Sequence, residues 1–243
     1  EKDYSSETQL VFNLAQRYGL GEPKKVLEIG CGTGNHTKFL AQKVSKLVAL
    51  DIDPKMIEVA SKKLSKVRAK IVKLVDKPVE EIEEGGFDLA LALFNVVTYI
   101  AEPKALESFM QGVSRVLKPG AIFVFDCWNG VAAILDPPKS KRTVVESNGK
   151  RVESNLSSKT DFLNQLTTLN YDITVSNGKK IEKGTYSISQ TLWMPREIEA
   201  AVKKAGLEIV LSSPLMDPTR SATEKDWKIM FCVRKPISPD DLL

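Results

Sequence analysis

A chain of 243 residues is long enough for one large domain, or for one domain carrying a sizeable insertion. Its 42% hydrophobic and 27% charged residues suit a globular protein, and no apolar run reaches the roughly 20 residues that a membrane helix needs. The net charge of +4 comes from 35 basic and 31 acidic residues, with the basic ones scattered. Lys62, Lys63, Lys66, Arg68 and Lys70 read as a solvated face; without a dense basic surface interleaved with aromatics, nucleic acid is disfavoured as a partner. Three separated cysteines, Cys31, Cys127 and Cys232, and a single histidine offer no metal-ligand spacing, so no metal is expected. That cysteine usage suits a reducing cytosol and a cytoplasmic location. The opening EKDYSSETQL lacks the apolar core of a signal peptide. Whether native residues precede Glu1 is left open, since the chain does not begin with Met.

Apolar residues at helical spacing, Leu10, Val11, Leu14 and Ala15, predict an amphipathic helix over 5–19, ended by Gly21 and Pro23. KKVLEIG (24–30) is a short apolar run of the kind a buried parallel strand needs. A glycine turn follows, then a helix from about Asn35 to Lys43. KLVALDID (46–53) is the second strand, and Pro54 starts a helix over 54–66. KIVKLVD (70–76) and FDLALALFN (87–95) are the third and fourth strands. Helix 103–117 leads through KPG into AIFVFDCW (121–128), the fifth. Strands alternating with helices predict a doubly wound, mostly parallel sheet of the α/β class, covered on both faces.

After Trp128 the pattern changes. Residues 141–194 are rich in Thr, Val, Ser and Asn and contain Asn148-Gly149 and Asn177-Gly178. Asn-Gly favours two-residue hairpins because both central residues need positive φ. Two successive hairpins are therefore expected, within an antiparallel β insertion over 129–194. The α/β core is assigned to 1–128 and 195–243, resuming with helix 195–205 and strands 207–213 and 227–235.

The chemistry concentrates in VLEIGCGTGNHT. Gly30, Gly32 and Gly34 follow a strand and open a helix, where the lack of a Cβ lets the backbone turn sharply and approach a ligand. A dinucleotide fingerprint needs glycine at its first, third and sixth positions. Counted from Gly30 the sixth is Asn35, and counted from Gly32 it is Thr37, so the NAD register fails.

Together with the acids at the ends of the second and third strands, this run resembles the class I S-adenosylmethionine-dependent methyltransferases, and the resemblance covers essentially the whole core. It implies a seven-stranded Rossmann-like sheet and S-adenosyl-L-methionine as cofactor. The acidic residue followed by alternating glycines corresponds to Glu28, Gly30, Gly32 and Gly34, with Cys31 inside the loop that wraps the methionine part. Asp51 corresponds to the acid that holds the ribose hydroxyls, Ile52 to the apolar residue against adenine, and Asp76 to the acid facing the adenine amino group. A carboxylate suits the ribose because it is acceptor-only and takes two donors at once. Asp53 reads as the N-cap before Pro54. Phe94 stands either beside the methionine part or in the core.

Tyr4, in KDYSSET, resembles a tyrosine that closes over the cofactor in one subgroup. The inserted sheet resembles that of nucleotide-sugar amine N,N-dimethyltransferases in its organisation. The resemblance implies a small-molecule acceptor, an amine or a hydroxyl, in a pocket lined by Asn95, Trp128 and Asn129. Packing of Trp128 and Trp193 between insert and core is the alternative reading. His36 and Tyr4 are the candidate catalytic groups, with His36 equally readable as an early helix residue. An RNA or protein acceptor, and a non-catalytic cofactor-binding protein on the same fold, are the other readings. The exposed edges of the insert predict a homodimer through it.

Overall fold

The computed structural model describes residues 2–65, 71–147, 149–178 and 180–239. Lys66, Arg68 and Lys70 of the basic cluster and Asn148 of the first hairpin turn lie outside them. Helix α1 (Tyr4–Tyr18) starts where the Asp3 side chain accepts from Ser6 N at 3.0 Å. It is followed by β1 (Lys25–Ile29), α2 (Thr37–Leu40), β2 (Lys46–Leu50), α3 (Pro54–Leu64), β3 (Val72–Val75) and β4 (Phe87–Ala92). Helix α4 (Pro103–Val116) then leads into β5 (Leu117–Trp128), and 3-10 turns span Val79–Glu81 and Val96–Tyr99. The core closes with α6 (Pro195–Lys204), β10 (Glu208–Pro214) and β11 (Lys228–Arg234).

The sheet has the expected doubly wound form. Among the described residues seven strands run in the order β10-β11-β5-β4-β1-β2-β3, parallel except where β11 meets β5 and β10. Both faces are buried, and the alternation along each strand sorts the apolar residues between them. Leu27, Ile29, Phe123, Phe125 and Phe231 pack under α4 and α6. Val26, Leu47, Leu89, Val124 and Met230 pack with Val11, Phe12 and Leu14 of α1. The order reverses beside β1, which pairs β2 on one side and β4 on the other. Such a reversal leaves a crevice beyond the strand ends, where open α/β sheets bind ligands. No helix among the described residues is long and apolar enough to cross a membrane.

Two local expectations need correction. The helix expected from Asn35 to Lys43 is a single turn, Thr37–Leu40, with isolated turn bonds beyond it, because the chain stays tightly bent after the glycine loop. The insertion expected to be antiparallel β throughout opens with a helix, α5 (Gly130–Leu135), capped by Asn129.

Then β6 (Lys141–Ser147), β7 (Lys150–Asp161), β8 (Leu166–Ser176) and β9 (Ile181–Thr191) form one four-stranded antiparallel sheet in sequential order. The two expected hairpins are thus joined through a third turn that no Asn-Gly pair marks. There the Asp161 carboxylate accepts from Leu163 N and Asn164 N, both at 3.1 Å, and Gln165 takes φ 51. An Asx-type turn does the work that Asn-Gly does elsewhere.

The insert is tied to the core at its last strand. Strand β9 packs against the Val96–Tyr99 turn, and Trp193, 2% exposed, donates from Nε1 to Val97 O at 3.2 Å. Truncating a fully buried Trp typically costs about 3–5 kcal/mol. Trp193→Ala is expected to destabilise the protein by that order in urea unfolding, and a loss under 1 kcal/mol would show that the tie carries no weight.

Candidate functional site

The three glycines of the loop after β1 all take left-handed backbone conformations, φ 69 at Gly30, 53 at Gly32 and 77 at Gly34. Their surroundings differ, and so do their tasks. A Cβ on Gly30 would stand 2.5 Å from Val96 Cγ2, so the loop closes directly onto the exit of β4. A Cβ on Gly34 would press on Ala60 and Leu64 of α3 at 3.3 Å. Around Gly32 nothing lies within 4 Å of a Cβ position. The middle glycine therefore lines an open cradle while its neighbours pack the loop from both sides.

Asp51, directly after β2, bounds this cradle. Its Oδ2 accepts from Gly32 N at 2.7 Å and its Oδ1 from Asp53 N at 3.0 Å, which fixes the carboxylate at the loop. Asp53 accepts from Lys55 N at 2.9 Å and caps α3, as expected. Ile52 is 75% exposed and Asp76 is exposed after β3. Phe94, past the end of β4, is 59% exposed and so is not core. Large apolar side chains and acids thus line the strand ends without covering one another, an arrangement suited to a ligand with an apolar ring and polar hydroxyls.

Beneath the loop lies Glu28, 3% exposed, whose Oε2 finds no hydrogen-bond partner among the described residues. Burial pushes its carboxyl up to about 8, and the nearby Asp51 charge adds to the shift. Cys31, expected to contact the cofactor, is buried at 6% with its backbone N bonded to Leu50 O at 2.8 Å. Burial raises its thiol pKa further from the reactive range, with Glu28 and Asp51 adding to it. The Cys31 side chain is a packing element of the loop.

The N-terminal helix reaches this loop. Tyr4 accepts from Asn35 Nδ2 at 3.2 Å and meets the His36 ring edge-on at 4.9 Å. His36, expected among the catalytic groups, is 7% exposed, and its Nε2 lies 2.6 Å from Glu7 Oε2. Through Nε2 it joins α1 to the loop. Burial opposes ionisation of Glu7, but His36 and Lys2 outweigh it and hold the carboxyl below its ordinary value.

The second half of the site joins Phe94, Asn95 and Trp128, which the sequence pointed to, with Asp126 and Lys228, which it did not. Phe94 and Asn95 both take left-handed conformations, φ 74 and 62, which is costly for side chains other than glycine. What holds them is Asp126 of β5, 1% exposed, whose carboxylate accepts from Phe94 N at 2.5 Å and Asn95 N at 3.2 Å. Burial raises the Asp126 pKa against the opposing pull of Lys228 and these two amides. The satisfied orientation of the Asn95 amide donates to Asp126 Oδ2 at 3.2 Å and accepts from Lys228 Nζ at 3.2 Å and Trp128 Nε1 at 3.3 Å. Trp128 packs edge-on against Trp227 at 5.7 Å.

Asn129, expected to line the acceptor pocket, is instead 2% exposed, donating to Thr223 O and Asp226 O and accepting from Val131 N. Its hydrogen-bonding capacity is spent on the backbone. Asp126 was detectable in principle, as the lone charge in the apolar run AIFVFDCW, and Lys228 as the charge that opens the apolar run IMFCV.

In fold the chain is similar to an S-adenosylmethionine-dependent methyltransferase of Clostridium acetobutylicum, with TM-score 0.82, 19% identity, and 97% and 93% of the two chains covered. Residues 26–120, from β1 through α4 to the start of β5, match a family described as a methyltransferase domain. An uncharacterised protein of Methanocaldococcus jannaschii is 28% identical over 76% of this chain, which spans 62% of that relative's length. A dTDP-4-amino-2,3,4,6-tetradeoxy-D-glucose N,N-dimethyltransferase of Saccharopolyspora spinosa is 26% identical over 85% of this chain and 80% of its own. The matched segment holds the glycine loop, Asp51, Asp76 and Phe94, so the similarity to a methyltransferase domain covers the first half of the site.

The buried carboxyl of Glu28 makes a testable demand. Glu28 keeps its proton to about pH 8 in the folded chain but ionises near its ordinary value of 4.5 when unfolded. Between those values the unfolded state binds fewer protons, so stability falls as pH rises. Glu28→Gln is expected to flatten that fall, by on the order of a few kcal/mol between pH 5 and pH 8. Urea unfolding of the ligand-free protein at the two pH values measures it, and equal slopes in both proteins would contradict the assignment.

Proposed function

We propose that the protein is an S-adenosyl-L-methionine-dependent methyltransferase acting on a small-molecule acceptor, with an amine preferred over a hydroxyl. The observation that carries this reading is the open cradle at Gly32, bounded by the fixed carboxylate of Asp51 at the reversal point of the sheet. The residues present fit the cofactor. The loop Gly30–Gly34 would take its methionine part beside Phe94, Asp51 its ribose hydroxyls, Ile52 its adenine face and Asp76 the adenine amino group. When bound, the cofactor supplies a methyl group already activated on a sulfonium. The chain's own task is then mainly positioning, which by itself supplies a large share of such a rate. The name of the amino-sugar N,N-dimethyltransferase relative supports an amine acceptor.

The acceptor would enter between Phe94, Asn95, Trp128 and the start of β11. Tyr4 at the loop would close this space from the N-terminal side. The inserted sheet would form its roof, since β9 packs on the Val96–Tyr99 turn directly after Asn95. A roof excludes water and holds the acceptor in line. Its edge strands β6 and β9 also support a homodimer through the insert.

Calorimetric titration is expected to show binding of S-adenosylhomocysteine and no comparable binding of NAD; the reverse result would overturn the reading. Hydrogen bonds to a charged acceptor contribute roughly 1.5–3 kcal/mol each. Asp51→Ala is therefore expected to weaken S-adenosylhomocysteine binding by about tenfold or more with an unchanged circular dichroism spectrum. Asp53→Ala should cost about 1 kcal/mol of stability as a lost cap and spare the affinity. If the two variants exchange these effects, the carboxylates have exchanged roles.

A further inference from the structure

Two ammonium groups converge on the exposed ring of Phe94. Lys2 Nζ stands 3.8 Å from the ring centroid and Lys228 Nζ 5.2 Å. Lys228 opens β11 opposite Trp128 and shares a sheet face with Asp126 and Met230 through the β5–β11 register. It is half-buried, yet among the described residues it is paired with no carboxylate within ion-pair distance. Its one close acceptor is the neutral Asn95 amide oxygen at 3.2 Å. A lysine has three donors, so this half-buried cation is under-satisfied.

The nearby acids are not free to swing over. Glu7 is held by His36 at 2.6 Å and Lys2 at 3.1 Å. Both oxygens of Asp126 are held by the strained Phe94–Asn95 backbone. Burial lowers the pKa of Lys228, Asp126 opposes this from a distance, and the like charge of Lys2 adds to the lowering. Two mutually repelling cations aimed at one ring, with every local carboxylate committed, call for an oxyanion from outside the chain. An anion there would complete the donors of Lys228 through charge-assisted hydrogen bonds.

We propose that Lys228, assisted by Lys2, forms an anion subsite beside Phe94 that takes a phosphate or carboxylate group of the methyl acceptor. The subsite rests on the methyltransferase reading, and narrows its acceptor to molecules that carry a negative group near the methylated atom. The same chemistry could come from the α-carboxylate of the cofactor, and the test separates the two sources. It also tests whether the positive charge itself is what binds, because arginine keeps that charge.

The full chain, saturated with S-adenosylhomocysteine, is titrated with inorganic pyrophosphate by calorimetry. Saturable binding is expected in the wild type, about tenfold weaker or worse in Lys228→Met, and within roughly threefold of wild type in Lys228→Arg. Lys2→Met, just before the start of α1, should show a smaller loss in the same direction. S-adenosylhomocysteine affinity should stay unchanged in every variant. Absence of saturable pyrophosphate binding in a wild type that binds S-adenosylhomocysteine, or wild-type binding by Lys228→Met, would overturn the subsite. So would a Lys228→Met variant that loses S-adenosylhomocysteine affinity while keeping that for methylthioadenosine, which lacks the amino-acid part; the cation would then serve the cofactor. A wild type that binds no S-adenosylhomocysteine would overturn the methyltransferase reading itself.

Discussion

Gly30 and Val96 approach until no side chain fits between them, a Cβ at Gly30 falling 2.5 Å from Val96 Cγ2. This contact bridges the exits of β1 and β4 at the place where the strand order reverses. It forces glycine on one side and a sharp turn on the other. Once the two exits are held together, the open space at Gly32 and the exposed ring of Phe94 become walls of one crevice. The carboxylate of Asp51, fixed by Gly32 N and Asp53 N, closes the crevice at the β2 side. Without the Gly30–Val96 approach these groups would sit at the ends of separate strands.

The turn after β4 carries the strain that this geometry creates. Two consecutive non-glycine residues in left-handed conformations cost on the order of 1–3 kcal/mol each, and Asp126 offsets that by accepting both of their amides. The cost to Asp126 is its own burial, which shows in its raised pKa. A buried acid is thereby spent on backbone geometry rather than on a cation, and Lys228 is left half-buried without an ion pair. The strained turn, the committed carboxylate and the under-satisfied lysine are three consequences of one arrangement. His36 and Glu7 follow a similar logic at the other wall, where the only histidine joins α1 to the glycine loop.

The alternation of apolar residues made most of the core legible in advance. KVLEI, KLVAL and FDLALA are buried on both faces in the structure, as near-continuous apolar runs in a parallel sheet must be. Pro54, Pro103 and Pro195 each begin a helix, where a missing amide donor costs nothing. What escaped were elements set by distant partners. The helix after the glycine loop is shorter than its pattern, α5 was hidden inside the insertion, and the turn between β7 and β8 relies on the Asp161 side chain rather than on glycine.

The site divides along the same line. The sequence by itself determined the glycine loop, the acids at the ends of β1 to β3 and the cap at Asp53, because their signals are local: a turn that needs positive φ, a strand end, a helix start. Only the tertiary structure decided that Cys31 and Asn129 are packing and capping residues, that His36 is paired with Glu7, and that Asp126 and Lys228 face Phe94. The pairings of His36 and Asp126, and the Asn129 amide bonds to Thr223 and Asp226, join residues tens of positions apart, and spacing along a chain carries no record of which strand ends a fold will bring together.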